Sequence, residues 1–252
     1  MSERSSAVVV IPTYNEAENL PKLAERLWSL PGTPFNLLVV DDGSPDGTGR
    51  VAEELAAAHP GRIWVLHRPA KLGLGTAYLA GFAEALQRRP SAILQMDADF
   101  SHAPEELPGF VAALAEADAV FGSRYIPGGR LDERWGVGRV ALSRFGNFYA
   151  RAILRLPIRD VTGGFRAWRP ETLHGLPLDR IRSNGYVFQV EMAYVANRLG
   201  YSITERPITF IDRRYGRSKM SLRIQVEAAL RVWQVLFAHR GLRRRPGPGR
   251  PR

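Results

Sequence analysis

The chain has 252 residues, 45% hydrophobic and 24% charged, with a formal net charge of +10 and no cysteine. That length holds one large core or two small ones; the lack of cysteine excludes disulfides and thiolate metal sites, and the ordinary apolar content excludes wholesale disorder. The positive surplus calls for an anionic partner, whether phosphate, nucleic acid or an acidic membrane.

From the N-terminus, the first element is "AVVVI" (7–11), a strand candidate that stops at Pro12. Five apolar residues are too few for the core of a signal peptide, and no later run approaches the roughly 18 that a membrane-spanning helix needs. A soluble or peripheral protein on the cytoplasmic side is expected. Further strand candidates are "NLLVV" (36–40), "RIWVL" (62–66), "AILQM" (92–96) and "ADAVFG" (117–122). Between them lie "EAENLPKLAERLWSL", "GTGRVAEELAAAH", "GTAYLAGFAEALQRR" and "PEELPGFVAALAEA", each with apolar positions three or four apart. Strand and helix in alternation predict an α/β fold, a mostly parallel sheet with helices on both faces.

Such sheets bind ligands beyond the carboxyl ends of their strands. Here those ends carry "PTYNE" (12–16), "DDGSPDGT" (41–48) and "DADFSH" (97–102), three polar stretches on one edge. Asp97 and Asp99, two positions apart, face one cleft if the chain turns at Ala98, and hard oxygen ligands so close together suit Mg²⁺ or Mn²⁺. Asp41 and Asp42 can accept hydrogen bonds from a base or ribose; equally, the stretch is a capping turn with Asp46 or Thr48 at a helix start. The glycines of "KLGLGTAYLAGF" (71–82) match neither a P-loop nor a dinucleotide fingerprint. They read as helix packing, with Lys71 and Gly75 as rim contacts.

"PTYNE", "VVDDGSPDGT", "GLGTAY", "MDADFSH", "GSRY", "TGGFRA" and "DRRYGRSKMS" follow one another in this order. Together, from about Val8 to Ser221, the chain resembles the dolichol-phosphate (polyprenol-phosphate) mannose synthases, inverting glycosyltransferases with the GT-A fold. The first motifs indicate only the broad family; "TGGFRA", "SNGYVFQVEM" and "ERPITFIDRRYGRSKMS" point to the lipid-phosphate branch. The resemblance implies transfer of mannose from GDP-mannose to a polyprenyl or dolichyl phosphate. It implies a donor pocket of Pro12, Tyr14, Glu16, Val40, Asp41, Asp42, Asp97, Ala98, Asp99, Arg124 and Arg213. Asp97, Asp99 and Ser101 would be the metal set, although relatives often have Gln where this chain has Ser101. Arg139, Ser143, Arg144 and Lys219 would meet the acceptor phosphate, and Asp99, Arg213 and Lys219 would carry catalysis. Arg214 adjoins Arg213, and the choice between them rests on the six-residue spacing to Lys219.

The chemistry agrees with that pattern. Glycosyl transfer to a hydroxyl needs a general base, whereas a phosphate monoester is already an anion and needs cations to bring it beside a negatively charged donor. Clustered Arg and Lys are what that requires, Arg especially for its bidentate fork.

A lipid acceptor must be met at a membrane surface. In 220–238, Leu222, Val226, Leu230, Trp233 and Phe237 share one helical face and Arg223, Glu227 and Arg231 another, as in an interfacial helix or an ordinary helix packed on the core. In 139–156 an apolar stripe of Leu142, Phe145, Tyr149, Ala152 and Leu156 lies beside Arg144, Arg151 and Arg155, suggesting an acceptor-side, membrane-docking element. Residues 1–240 read as a single catalytic domain and 241–252, "GLRRRPGPGRPR", as a basic unpacked tail. A separate membrane protein as anchor is a further expected partner. Nucleic acid is not expected, because no groove-reading motif occurs and the strand ends are acidic. The alternatives are a polyprenyl-phosphate glucosyltransferase using UDP-glucose, whose members usually append C-terminal membrane spans, and a non-catalytic sugar-nucleotide-binding module.

Overall fold

The structure, a computed structural model, describes residues 6–211 and 222–244, with the backbone alone described for 222–226. Strand β1 (Ala7–Thr13) is followed in strict alternation by α1 (Leu20–Trp28), β2 (Phe35–Asp41), α2 (Thr48–Ala58), β3 (Ile63–His67), α3 (Leu74–Gln87), β4 (Ala92–Gln95), α4 (Leu107–Ala113) and β5 (Ala119–Ser123). All five predicted strands are present. Beyond them come β6 (Arg130–Leu131), α5 (Val137–Leu154), β7 (Arg166–Trp168), α6 (Pro170–Gly175), α7 (Gly185–Leu199), β8 (Ile203–Pro207), β9 (Thr209–Phe210) and α8 (Leu222–His239).

The main sheet has the order β3-β2-β1-β4-β7-β5-β8. The edge strand β8 is mostly polar, whereas strands β1, β2, β4 and β5 are mostly apolar and buried because both faces are covered there. Successive side chains alternate between the two: Val8, Val10, Leu38 and Val40 enter one core with α3, α5, α7 and α8, while Ala7, Val9, Ile11, Leu37 and Val39 enter the other with α1 and α4. Helix α3 lies so near β1 that a Cβ on Gly81 would stand 2.4 Å from Val10 Cγ1, so only glycine permits the approach.

One strand breaks the parallel rule. β7 pairs antiparallel with both β4 and β5, Arg166 standing between Gln95 and Phe121. Its N-terminal end therefore lies on the same edge as the C-terminal ends of β4 and β5, which carries "TGGF" to the polar rim. Trp168 Nε1 donates to Gln95 Oε1 at 2.7 Å and secures the register from within the sheet.

Both amphipathic segments are helices. On α5 the buried residues are Asn147, Ala150 and Leu154; Phe145 and Phe148 are 61% and 64% exposed. On α8, Val232 and Val235 are buried while Leu230, Trp233 and Phe237 are exposed. One side of α8 packs, and Leu230, Trp233 and Phe237 of the apolar side singled out in the sequence look outward. After α8 the chain is still held: Leu242 packs on the core, and Arg198 Nη2 donates to the carbonyls of Arg240 and Leu242 at 2.7 and 2.9 Å. The packing of Leu242 differs from the unpacked tail expected from residue 241, because an apolar side chain and a carbonyl-satisfying arginine are available there.

Candidate active site

β1, β2 and β4 run parallel, so their polar ends share one rim. Strand order proceeds outward from β1 to β2 and β3, then reverses to β4 on the other side. That reversal opens a crevice where the helices diverge, the place at which open α/β sheets take up ligands. "PTYNE", "DDGSPDGT" and "MDADFSH" line it.

On the β1–β2 side, the loops are bound to one another. Thr48 Oγ1 accepts the Glu16 N–H at 2.8 Å and donates to Asp46 Oδ1 at 2.6 Å, while Asp46 Oδ2 accepts the Ala17 N–H at 3.2 Å. Asp46 and Thr48 thus clasp the two loops, while the cap of α2 is Gly47 at φ 88°, which differs from the expected cap at Asp46 or Thr48. Asp41, 4% exposed, accepts from Ser44 Oγ at 2.5 Å and from Thr13 Oγ1 at 3.3 Å. Asp42 forms a buried ion pair with Arg68 Nη1 at 2.6 Å, and Arg68 Nη2 reaches Thr76 Oγ1 at 2.7 Å. Burial raises the Asp42 carboxyl above its ordinary value, more than the Arg68 charge lowers it. Tyr14 stands 37% exposed with Lys71 Nζ 3.9 Å from its ring centroid, a flat surface suited to a base. Pro12 pairs with Val40 across β1 and β2. The side chain of Val40 is fully buried against α3, because the two-residue strand period turns it inward; it differs here from the expected pocket residue. Glu16 accepts from Asn19 Nδ2 at 2.7 Å.

Beyond β4, Asp97 and Asp99 are half-buried about a buried Ala98, and Phe100 takes a positive φ of 58° as the chain turns. Asp97 Oδ1 accepts from Tyr78 Oη at 3.4 Å. Burial, reinforced by Asp97, raises the Tyr78 hydroxyl well above its usual value and keeps it a donor. Asp99 Oδ1 accepts both the N–H and the hydroxyl of Ser101, at 3.0 and 2.6 Å. Ser101, 1% exposed, therefore orients Asp99. His102 stacks on Phe165 at 4.9 Å between centroids, and burial holds its imidazole below the ordinary range against the pull of Asp97 and Asp99.

Among the described residues no group of three or more His, Asp or Glu converges to hold a metal. Two adjacent carboxylates nevertheless supply the hard oxygen donors that Mg²⁺ and Mn²⁺ prefer, and such cations commonly complete their shells with substrate phosphate and water. The donor set fits a cation bound together with a diphosphate.

Beyond β5, Arg124 meets Asp160, which the motifs did not single out. Arg124 Nε donates to Asp160 Oδ2 at 2.7 Å and Nη2 to Oδ1 at 2.8 Å, and the Arg124 backbone N–H adds a third bond at 3.0 Å. Arg124 Nη2 also reaches Thr162 Oγ1 at 2.8 Å. Burial alone would raise the Asp160 carboxyl; the Arg124 charge and hydrogen bonds outweigh it, and the pKa is lowered. Underneath, Arg166 is fully buried and donates to the carbonyls of Gly163, Gln189 and Val161 at 3.0, 2.8 and 2.9 Å. Burial pushes its pKa down to about 9, so it stays cationic at neutral pH.

Of the residues expected at the acceptor, Ser143 comes to the rim, its Oγ 2.6 Å from Tyr125 Oη. Arg139 lies one turn before it on α5, over the Trp135 ring at 3.8 Å, and Arg144 is exposed on the adjoining face. Arg213, Arg214 and Lys219 lie outside the described residues. An apolar track crosses from α5 to α8: the Phe145 and Tyr149 rings are 6.1 Å apart, Trp233 Nε1 donates to Tyr149 Oη at 3.1 Å, and the Trp233 and Phe237 rings are 6.3 Å apart.

The sequence profile described as Glycosyl transferase family 2 matches residues 8–175. The chain is 49% identical over 215 residues to a polyprenol monophosphomannose synthase of Mycolicibacterium smegmatis, covering 85% of this chain and 80% of that one. It is 46% identical over 243 residues to an undecaprenyl-phosphate mannosyltransferase of Micrococcus luteus, covering 95% and 98%. Among solved structures, a glucosyl-3-phosphoglycerate synthase from Mycobacterium tuberculosis with Mn²⁺, UDP and phosphoglyceric acid aligns with TM-score 0.67 at 20% identity, over 97% of this chain and 81% of that one. A mannosyltransferase from Pyrobaculum calidifontis in complex with GDP-Man and Mn²⁺ aligns with TM-score 0.64 at 21% identity, over 97% and 67%. At those identities the likeness is one of fold, and it agrees with the GT-A-type sheet.

Proposed function

The chain belongs to glycosyl transferase family 2, and we propose that it transfers mannose from GDP-mannose to a polyprenyl phosphate, inverting the anomeric carbon. The observation that carries this reading is the near full-length identity of 46% to a relative named for mannosyl transfer to undecaprenyl phosphate. The 49% identity to a polyprenol monophosphomannose synthase supports the same chemistry.

The site can serve each part of that reaction. Tyr14 with Lys71 offers a surface for the base, and Asp41 and Asp42 border it, held by Ser44 and Arg68. Asp97 and Asp99 would hold a divalent cation against the donor diphosphate. When bound, such a cation supplies charge neutralisation to the leaving GDP. The acceptor phosphate is the nucleophile and needs no base; it needs alignment with the anomeric carbon and cations that offset its charge. Ser143 stands at that rim, and Arg139 and Arg144 are carried on the same helix. Arg213 and Lys219, from "DRRYGRSKMS", are assigned to the phosphates on the resemblance of that motif.

The protein would act at a membrane surface. No described helix is long and apolar enough to cross a membrane, while Phe145, Phe148, Leu230, Trp233 and Phe237 expose a broad apolar face beside the cations of α5. Burying such a face in the headgroup layer would place the acceptor phosphate near the rim of β5.

The test is transfer from a panel of labelled nucleotide sugars to a polyprenyl phosphate in detergent, with and without Mg²⁺ or Mn²⁺. Metal-dependent transfer with GDP-mannose as preferred donor is the expected result. Preference for UDP-glucose would overturn the donor assignment, and binding without transfer would indicate a non-catalytic module.

A further inference from the structure

We propose that Asn147 and Thr162 are positioning residues which lock helix α5 to the Arg124–Asp160 pair, so that acceptor-side and donor-side groups are held in one register. This rests on the reading of the protein as a mannosyltransferase acting on a lipid phosphate. Asn147 is 3% exposed on a helix whose only other buried residues are Ala150 and Leu154, both nearer its C-terminus. Its carboxamide is used on both sides. Oδ1 accepts the Val161 N–H at 2.9 Å; Nδ2 donates to Thr162 Oγ1 at 2.9 Å and to the Ser143 carbonyl at 3.2 Å.

Thr162 completes the circuit, because its Oγ1 also accepts from Arg124 Nη2 at 2.8 Å. Ser143, one turn before Asn147, closes it on the far side through Tyr125, the neighbour of Arg124 in sequence. Ser143, expected at the acceptor, and the arginine at the end of β5 are thus joined by a ring of hydrogen bonds running from β5 through 160–162 to α5 and back.

An apolar residue at 147 would fill the same space. It would let the first half of α5 rotate, since dispersion contacts carry no direction, whereas an amide with three partners fixes rotation and height at once. Burying a carboxamide is unfavourable unless its bonds are made. Its presence at the one buried point in the first three turns of α5 fits a demand for alignment beyond packing.

The experiment compares wild type with Asn147→Leu and Thr162→Val, measuring kcat and KM separately for GDP-mannose and for polyprenyl phosphate, thermal unfolding, and amide hydrogen exchange along α5. The expected result is a fall in kcat/KM for the lipid phosphate of about tenfold or more, with the KM for GDP-mannose within about twofold. Exchange should quicken over 137–146 while α3 and α7 stay protected. Donor and acceptor constants weakening together, or activity following only the folded fraction, would overturn the proposal, as would unchanged exchange in α5. Should Asn147→Leu fail to fold, Thr162→Val carries the same comparison. Wild-type protein that transfers no mannose in this assay would instead overturn the functional reading itself, independently of the exchange result.

Discussion

Arg124 and Asp160 form a bidentate ion pair at the end of β5, with contacts of 2.7 and 2.8 Å and side chains 8% and 0% exposed. The carboxylate also receives the backbone N–H groups of Arg124 and Gly163. A charge pair so enclosed resists loss of either member, because the survivor is left buried and uncompensated.

Asp160→Ala is therefore expected to cost about 3–5 kcal/mol of stability, measured by denaturant unfolding. Arg124→Lys keeps the charge without the fork; it should unfold at a milder denaturant concentration by a smaller margin yet lose most mannosyl transfer. Full activity in Arg124→Lys would contradict a positioned role for the guanidinium.

Asp99→Asn tests the acidic rim. The substituted amide can still accept from Ser101 through its oxygen, so the local turn should persist and thermal unfolding should move little. Metal-dependent turnover should disappear. Retained activity in this variant, or wild-type activity indifferent to chelator, would count against a cation on this carboxylate.

The apolar track from Phe145 to Phe237 predicts reversible binding to anionic vesicles. Substituting Phe145, Trp233 and Phe237 together with Ser should weaken sedimentation with the vesicles while leaving transfer to a short, water-soluble prenyl phosphate nearly unchanged. Raised salt should release the wild type, since exposed charges are screened over about 8–10 Å at physiological ionic strength. Binding insensitive to both the substitutions and the lipid charge would refute a docking role for this face.

Acid should loosen the join between α7 and α8. Glu191 Oε1 lies 2.7 Å from His239 Nε2, and Glu191 Oε2 accepts the N–H groups of Arg182 and Ser183. Burial raises the Glu191 pKa, but the His239 and Ser183 hydrogen bonds outweigh it and the net shift is downward. A carboxyl lowered on folding contributes stability that is present above its unfolded pKa of about 4.3 and is lost as pH falls through the folded value. The melting temperature of wild type should thus exceed that of Glu191→Gln at pH 7, and the gap should close below about pH 4. A gap that stays constant down to pH 3 would contradict this linkage.

Much of the rim was legible in the sequence. Strands buried on both faces announce themselves as continuous apolar runs, and the polar residues following β1, β2 and β4 could only stand at their carboxyl ends. Short and distant features were not legible. β7 has three residues, too few to show a period, and its antiparallel insertion depends on partners in β4 and β5. Asp160 finds Arg124 36 positions away with no local spacing to betray it, although "TGGFRA" just beyond it marked the region. On helix α5 the inward stripe was not legible, because it is led by a polar residue, Asn147, while the apolar stripe the sequence shows includes the exposed Phe145.

The central claim is a single displacement at the anomeric carbon by the lipid phosphate, and the product's configuration tests it most directly. GDP-mannose carries α-linked mannose, so one in-line attack yields a β-mannosyl phosphate lipid and GDP. Proton NMR of the purified product should show the β-anomer. An α-linked product, requiring two displacements or retention, would contradict the account even if mannose were transferred efficiently.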